Sequence, residues 1–472
     1  MRLKIALPKG RLLSETAALL AQAGWGLDEY RDGTRSYRLK SQKMPDLFAK
    51  VFQEKDIPVQ VAVGNYDLGI CGLDWVEELL AKYPGSALVK LRDLGYGKGV
   101  LYTAASRSLP SPQIDTLQQQ RDIVRLASEY PNMAESLALD LRLKRFSVFP
   151  LWGGAEVYPP ENAELILISR INGDKTFNHD LVAVSRILDF SAYLIANRYS
   201  WESKDLSSAV ASLEEILACS GESCTQVADI EKIPEVKGSY PVREVAGDVV
   251  RLALADGHQQ QPTIELLNKA GIRVDDYPSS SGKRRPTSNL DGVTIKVIRP
   301  QDMPLQVANG NFDLAITGKD WLTEHLNQFP ASPVVELLDL KFGWVRIVAV
   351  VSNEVPVTDT GGLRQLWAGQ SAPIRVASEY VNIADKYARD NHLGLYRIIP
   401  TWGATEAFLT EDADLLIENT QTGSTLARNN LKIIDTLFES TARLIANKDS
   451  VADAKKRKKI ESITKTLRGA LA

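Results

Sequence analysis

The sequence contains little of what metal centres and disulfide scaffolds require. It has three cysteines and four histidines in 472 residues. Cys219 and Cys224 have C-x4-C spacing, but no other Cys or His stands near them to complete a set of metal ligands. So few cysteines are typical of free thiols in a reducing compartment. The sequence therefore predicts no metal site and a cytoplasmic location.

Long apolar runs and a strong net charge are also missing. No run of 18 apolar residues occurs, and the N-terminus does not have the form of a signal peptide. The formal net charge is only −3, which argues against non-specific binding to nucleic acid or to a membrane surface. The hydrophobic content of 44% is enough for full-sized cores. At about 150 residues per domain, the length predicts three or four domains.

Two copies of one long segment make up most of the chain. The clearest pairs are AVGNYDLGICGLDW (62–75) with ANGNFDLAITGKDW (308–321), and RLASEYPN (125–132) with RVASEYVN (375–382). Solenoid repeats are about 20–50 residues long, so copies this far apart are whole sets of domains. We predict copy one at 1–205, a linker at 206–246 and copy two at 247–472.

Within each copy, short apolar runs alternate with amphipathic stretches. Lys4–Leu7 is predicted as a strand and Leu12–Gly24 as a helix, while Gln60–Val63 is predicted as a strand segment. Leu206–Cys219 has helical periodicity inside the predicted linker. This βαβα order is typical of doubly wound α/β layers.

The most specific local motif is LLIENTQTGSTL at 415–426, in which an apolar strand is followed by an acid and a tight turn. The acid is Glu418, and the turn consists of Thr422, Gly423, Ser424 and Thr425. Glycine lets the backbone approach an anion closely, and the N–H groups at the following helix start can bind it. The alternative is an ordinary Ser/Thr helix cap. The position of Glu418 favours a phosphosugar site.

Several further segments occur in the order found in one enzyme family. They are LKIALPKGRLLSET (3–16), IRPQDMP (298–304), NFDLAITGKDWL (311–322), LLDLKFG (337–343), RVASEYVN (375–382) and STARLIAN (440–447). With these segments and the Thr-Gly-Ser-Thr turn, nearly all of each copy resembles ATP phosphoribosyltransferase, the family that opens histidine biosynthesis.

The resemblance implies a fold, a reaction and a set of ligands. Each copy is expected to have a two-lobed, type II periplasmic-binding-protein-like core. The implied reaction is attack by N1 of ATP on the anomeric carbon of phosphoribosyl pyrophosphate, with pyrophosphate leaving and Mg²⁺ sharing the developing charge. The turn is expected to bind the 5′-phosphate, and Glu418 to accept hydrogen bonds from the ribose hydroxyls.

The copies differ at the positions where this chemistry is expected. Copy one has Pro8-Lys9-Gly10-Arg11, where copy two has Ala255-Asp256-Gly257-His258. Copy two has Glu418 and the turn, where copy one has Ile168 and Asn172-Gly173-Asp174-Lys175. Arg299 aligns with Gln53, while Arg38 and Arg284 occupy the same position in the two copies. We therefore predict Lys9, Arg11 and Arg299 as catalytic residues, and Arg38 and Arg284 as substrate-binding residues beside Glu418 and the turn.

Three interpretations of this asymmetry remain open. The copies form an internal pseudo-dimer with one composite site, or copy one is a structural or regulatory half, or copy two is active alone. A non-catalytic, ligand-binding regulatory paralogue is the alternative from another functional class. About 25 residues follow Asn447, so the histidine-sensing domain of some family members is not expected. A homo-oligomer or a separate regulatory subunit is compatible with the sequence.

Overall fold

A computed structural model of the chain describes residues 3–33, 36–108, 122–171, 180–219, 247–279 and 284–471. Each copy folds into two lobes, and the chain returns to the first lobe for its last strand. Among these residues, no helix has both the length and the apolar character needed to cross a membrane.

Copy one consists of a six-stranded first lobe, ordered β2-β3-β1-β4-β11-β5, and a five-stranded second lobe, ordered β10-β6-β9-β7-β8. Its strands are β1 (Leu3–Pro8), β2 (Arg38–Lys40), β3 (Leu47–Phe52), β4 (Leu68–Gly72), β5 (Leu88–Asp93), β6 (Gly99–Ser106), β7 (Val124–Ser128), β8 (Phe146–Pro150), β9 (Leu165–Ile171), β10 (Leu181–Phe190) and β11 (Ala192–Asn197). Its helices are α1 (Leu13–Gln22), α2 (Ile57–Ala62), α3 (Leu73–Lys82), α4 (Pro131–Asp140), α5 (Arg198–Ser203) and α6 (Ser207–Cys219).

Copy two repeats this plan, with sheets ordered β15-β12-β16-β23-β17 and β20-β19-β21-β18-β22 and a small β13-β14 pair. Its strands are β12 (Val250–Ala255), β13 (Val274–Asp275), β14 (Thr287–Ser288), β15 (Val293–Ile298), β16 (Leu314–Gly318), β17 (Val334–Asp339), β18 (Val345–Ser352), β19 (Ile374–Ser378), β20 (Tyr396–Pro400), β21 (Leu415–Thr420), β22 (Leu431–Ser440) and β23 (Ala442–Asn447). Its helices are α7 (Gln260–Lys269), α8 (Met303–Ala308), α9 (Lys319–Gln328), α10 (Thr360–Trp367), α11 (Val381–Asp390), α12 (Ser424–Arg428), α13 (Lys448–Ala452) and α14 (Arg457–Leu471).

Parallel pairing at the centre of each first lobe determines where its loops lie. β1 pairs in parallel with β3 and β4, and β12 pairs in parallel with β15 and β16. The residues that follow these strands therefore share one edge of each sheet, where α/β proteins bind ligands. Lys9 and Gln53 lie at this edge in copy one, and Asp256 and Arg299 in copy two. The predicted α/β fold with two tandem, two-lobed copies is confirmed.

One predicted strand is a helix. Gln60–Val63 was expected to be a strand segment, but α2 covers Ile57–Ala62. Pro58 lies in the first turn, where its fixed φ favours a helix start. Ile57 and Val61 are buried at the i, i+4 spacing of one helical face. The strand prediction was wrong because so short an apolar run does not distinguish a strand from a buried helix.

The helix predicted at Leu206–Cys219 belongs to copy one and not to a linker. Ala209 and Leu213 of α6 are part of the apolar core of the first lobe. The indole N–H of Trp25 donates to Ser212 Oγ at 3.0 Å. Copy one thus continues past the predicted boundary at 205. The rest of the predicted linker, 220–246, lies outside the described residues.

The two copies share two of their hydrophobic cores. One core joins the first lobe of copy one to the second lobe of copy two, with Phe52 packed edge-on against Phe408 at 5.2 Å between ring centroids. The other joins the first lobe of copy two, including Met303 and Phe312, to the second lobe of copy one, including Tyr158. We call these contacts the Lys9 junction and the Asp256 junction, respectively. The predicted internal pseudo-dimer is therefore observed.

Each junction also buries one lysine from a first lobe. In the Lys9 junction, Lys50 Nζ lies 3.0 Å from Asp412 Oδ2, which also accepts from the Tyr66 hydroxyl at 2.9 Å. In the Asp256 junction, Lys296 Nζ donates to Asn162 Oδ1 at 2.6 Å. The carboxylate of one junction is thus an amide in the other. The buried lysine therefore contacts an aspartate in the Lys9 junction and an asparagine at the equivalent position in the Asp256 junction.

Asp412→Ala should destabilise the protein strongly. Lys50 and Asp412 are 1% and 2% exposed, and without Asp412 the buried ammonium group of Lys50 keeps only Glu411 as a carboxylate partner, at 2.8 Å. The expected loss in unfolding free energy is about 2–4 kcal/mol, measured by urea denaturation. The control is Asp122→Ala, which breaks the exposed pair with Arg145 and should cost less than about 1 kcal/mol. Equal losses in the two variants would contradict the role given to the buried pair.

Candidate active site at the junction between the copies

Lys9 and Arg11 follow β1 but have different surroundings. Gly10 between them has φ +87°, which turns the chain sharply. Arg11 donates from Nε to Glu54 at 3.0 Å and from Nη2 to Asp74 at 2.9 Å. Lys9 Nζ donates to the Tyr37 hydroxyl at 3.3 Å and lies 5.1 Å from the ring centroid. Arg11 thus neutralises carboxylates of its own lobe.

Three glutamates lie close together in the second lobe of copy two. Glu379 follows β19, Glu406 lies in a 3-10 helix at Thr405–Phe408, and Glu418 lies on β21. Burial, and then the charges of Glu406 and Glu379, hold the pKa of Glu418 well above its usual range. Burial and the neighbouring charges of Glu406 and Asp320 raise the pKa of Glu379 to about 7. We call these three residues the acid cluster.

Copy one reaches the acid cluster across the Lys9 junction. Burial raises the pKa of Glu406, and the charge of Lys9 opposes this shift. The Gln53 amide nitrogen and Glu379 Oε1 are 3.2 and 3.3 Å, respectively, from the point that a Cβ on Gly403 would occupy. Gln53 therefore lies against the lobe that carries Glu418, and Lys9 contacts Tyr37, which lines a cavity together with Glu406.

Glu418 is oriented by a short chain of hydrogen bonds between the two lobes of copy two. Its Oε1 accepts from Asn419 Nδ2 at 3.1 Å, and the same amide donates to the Tyr380 hydroxyl at 3.2 Å. Tyr380 donates to Asp320 Oδ2 of the first lobe at 2.7 Å. Movement of the lobes relative to one another would thus change the surroundings of Glu418.

The predicted phosphate turn has the expected backbone conformation. Gly423 has φ +76°, and the space where its Cβ would lie is empty to 4 Å. Its N–H donates to Thr420 Oγ1 at 3.0 Å, and the Thr422 hydroxyl donates to Ser424 Oγ at 3.1 Å. Thr422 and Ser424 are exposed. The corresponding segment of copy one, 172–175, lies outside the described residues.

Arg38 lies at the Lys9 junction and pairs with an acid outside the acid cluster. Its Nη2 contacts Glu411 of copy two and donates to Thr410 Oγ1 at 3.1 Å. It also lines a cavity of about 220 Å³ between the copies, together with Tyr37, Glu406 and Arg428. A predicted binding residue and a member of the acid cluster thus face the same space.

Arg284 and Arg299 lie in the Asp256 junction instead. Arg284 donates from Nη1 to Asp256 Oδ2 and from Nε to Glu156 Oε1, both at 2.8 Å. Arg299 Nη1 is 3.4 Å from Asp256 Oδ2. The structure therefore divides the predicted residues between the two junctions, and a catalytic role for Arg299 remains a prediction.

The sequence comparison missed two members of the acid cluster and the glutamine that faces it. Glu379 and Glu406 have counterparts in Glu129 and Glu156, so a search for differences between the copies passes over them. Gln53 was recognised only as the residue aligned with Arg299. Its position after β3 was the available signal, because that strand end lies beside Lys9.

The described residues contain no group of three or more His, Cys, Asp or Glu side chains that could hold a metal ion. The acid cluster is close enough for its charges to interact, but it does not form such a group. No metal-binding role is therefore assigned to residues in the described part of the chain.

Comparisons with known proteins agree with the resemblance seen in the sequence. A family model described as ATP phosphoribosyltransferase (HisG) matches residues 53–218 and 299–469. A protein named ATP phosphoribosyltransferase from Chlorobium phaeovibrioides is 37% identical over 229 residues, which are 47% of this chain and 72% of the relative. One of the same name from Pelotomaculum thermopropionicum is 32% identical over 227 residues, which are 47% of this chain and 73% of the relative.

Solved structures with some similarity include the ATP phosphoribosyl transferase (HisG:HisZ) complex from Thermotoga maritima. That match has a TM-score of 0.39 and 21% identity, and it covers 47% of this chain and 98% of the other. The alkanesulfonate-binding protein SsuA from Xanthomonas axonopodis matches with a TM-score of 0.29 and 10% identity, over 47% of this chain and 73% of the other. The family matches over both copies decide the assignment: the chain belongs to the ATP phosphoribosyltransferase family, whose members are pentosyltransferase enzymes.

Proposed function

We propose that the chain transfers the phosphoribosyl group of phosphoribosyl pyrophosphate to N1 of ATP, with release of pyrophosphate, at one site per chain in the Lys9 junction. The observation that carries this proposal is that Lys9 of copy one contacts Tyr37, which lines a cavity together with Glu406 from the lobe of copy two that holds Glu418 and the Thr-Gly-Ser-Thr turn. Residues lost from one copy are thus supplied by the other.

The proposed roles follow from charge and hydrogen-bonding capacity. The turn would hold the 5′-phosphate with its N–H and hydroxyl groups. Glu418 would accept hydrogen bonds from the ribose hydroxyls, and Lys9 would face the charge that grows on the leaving pyrophosphate. The two substrates need positioning more than a nucleophilic side chain, because fixing their geometry removes much of the entropic barrier. Arg11 could join in catalysis only by leaving Glu54 or Asp74.

Mg²⁺ is proposed as a companion of the pyrophosphate and not as an ion held by the protein. The described residues contain no set of three metal ligands, so its oxygen ligands would come from the phosphates. The pyrophosphate and the acid cluster are both negatively charged, and a bound Mg²⁺ would reduce the repulsion between them. No catalytic step is assigned to it. A cytoplasmic location, a homo-oligomer and a separate regulatory subunit stay predictions.

The direct test is pyrophosphate release when the protein is mixed with ATP and phosphoribosyl pyrophosphate. Ser424→Asp should raise the KM for phosphoribosyl pyrophosphate about tenfold, because a carboxylate in the turn repels the 5′-phosphate by roughly 1–2 kcal/mol. Ser462→Asp, which adds the same charge at an exposed position on α14, is the control and should leave KM unchanged.

The site count separates this function from its alternatives. Titration calorimetry should find one phosphoribosyl pyrophosphate site per chain. Two equivalent sites would reject the asymmetric assignment. Binding without any pyrophosphate release would instead favour the non-catalytic regulatory paralogue.

Lys9→Ala tests the contribution of copy one. Loss of the cation that faces the acid cluster should lower kcat by about 10²-fold or more, because the leaving group loses charge stabilisation. Lys40→Ala, which removes an exposed lysine from β2 of the same lobe, is the matched control. Near-normal turnover in Lys9→Ala, with unchanged folding by circular dichroism, would reject the composite site and favour copy two acting alone.

The acid cluster should make the unliganded protein less stable as the pH rises. The folded-state pKa of Glu379 is about 7 and its ordinary value is 4.5, so its favourable contribution is complete below about pH 4.5 and is lost as the pH rises through about 7. Glu379→Gln should reduce the fall in unfolding free energy between pH 5 and 8 by on the order of 2 kcal/mol. Glu129→Gln in copy one leaves the acid cluster intact and should keep the wild-type slope. An unchanged slope in Glu379→Gln would contradict this account.

A further inference from the structure

The Asp256 junction has the form of an anion site, in which the anion is a carboxylate of the protein. Arg284 Nη1 at 2.8 Å and Arg299 Nη1 at 3.4 Å approach the same oxygen of Asp256. Arg299 directly follows β15, and the carbonyl of Arg284 accepts from the N–H of Val297 at 2.8 Å, so both arginines reach this oxygen from the same end of that strand. Two guanidinium groups directed at one oxygen form the usual arrangement for binding a carboxylate or phosphate.

The second lobe of copy one covers this cluster. A Cβ on Gly153 would lie 3.1 Å from Arg299 Nε, and a Cβ on Gly154 would lie 3.3 Å from Arg284 Cζ. These glycines thus allow the backbone to lie directly against the two guanidinium groups. The site is built from both copies, as the Lys9 junction is.

Asp256 is held firmly as the occupant. Its Oδ1 accepts from the N–H of Gly257 at 2.8 Å and from Gln260 Nε2 at 3.3 Å. Burial acts to raise the pKa of Asp256, but the hydrogen bond and charge of Arg284 and the charge of Arg299 hold it below its usual value. The carboxylate is therefore ionised at neutral pH.

The counterpart position in copy one shows what Asp256 replaces. Lys9 follows β1 as Asp256 follows β12, and each precedes a glycine with positive φ, at +87° and +80°. In the Lys9 junction this position supplies a cation that can meet a ligand. In the Asp256 junction it supplies an anion that engages the cations already present.

We propose that the Asp256 junction is a second binding site for a phosphate or pyrophosphate group, and that the Asp256 carboxylate fills it in place of that ligand. Removal of this carboxylate would leave Arg284 with its partner Glu156, and would take from Arg299 the acid that it contacts among the described residues. With the Asp256 junction filled in this way, the two copies would have a single active site per chain. The number of active sites rests on the proposed function, whereas the occupation of the Asp256 junction by the Asp256 carboxylate does not.

Titration calorimetry with inorganic pyrophosphate tests this proposal in the full chain. Asp256→Asn keeps the shape of the side chain and should gain one pyrophosphate site relative to the wild type. Asp256→Asn/Arg299→Ala should lose that added site. Asp291→Asn, which removes the same charge from an exposed position, should bind as the wild type does. Circular dichroism checks folding, and Asp256→Ala serves as the second variant if Asp256→Asn does not fold.

Two results would overturn the proposal: wild-type binding in folded Asp256→Asn and Asp256→Ala, or an added site that persists in the double variant. Failure of the proposed function gives a different pattern. In that case the wild type binds no pyrophosphate, while Asp256→Asn still gains a site that depends on Arg299.

Discussion

The packing of each first-lobe sheet against the second lobe of the other copy is the constraint on which the remaining structure depends. Each first lobe covers one face of its sheet with its own helices, and the opposite face forms a core with the other copy. Phe52 and Met303, which lie in these shared cores, are fully buried. Exposure of such faces to water would cost about 25 cal/mol for each Å² of apolar surface, so a separated copy would be strongly disfavoured.

This packing also allows the residues of the two junctions to differ between the copies. Gln53 of copy one lies against Gly403 of copy two, whereas Arg299 of copy two lies against Gly153 of copy one, so a substitution at either of these positions alters a single junction. The buried lysines illustrate this: Lys50 pairs with Asp412, whereas Lys296 meets Asn162. The lysine after the first strand of copy one and the Thr-Gly-Ser-Thr turn of copy two therefore belong to the lobes that meet in the Lys9 junction.

The sequence predicted the secondary-structure elements better than the contacts that these elements make between the copies. The alternation of apolar runs indicated the α/β layers, the family resemblance implied the two lobes, and the glycine at 423 identified a turn whose φ is positive. Pairing of lobes between copies joins residues more than 300 positions apart, such as Phe52 and Phe408, and local periodicity contains no information on it. Glu379 and Glu406 escaped notice because their counterparts are also glutamates, and only the surrounding charges distinguish them.

The change from Lys-Gly-Arg to Asp-Gly-His separates into two unrelated parts. Arg11 bridges Glu54 and Asp74, but Pro300 stands where Glu54 does, and the oxygen Oδ1 of Asp320 accepts from Ser440 instead of from an arginine. An arginine at position 258 would therefore lack one of its two carboxylates, and its loss follows from packing within copy two. The exchange of Lys9 for Asp256 accompanies that of Gln53 for Arg299, which contacts the Asp256 carboxylate within copy two. It also alters the charge presented to the other copy, so the proposed difference in function between the junctions rests on this first position of the motif.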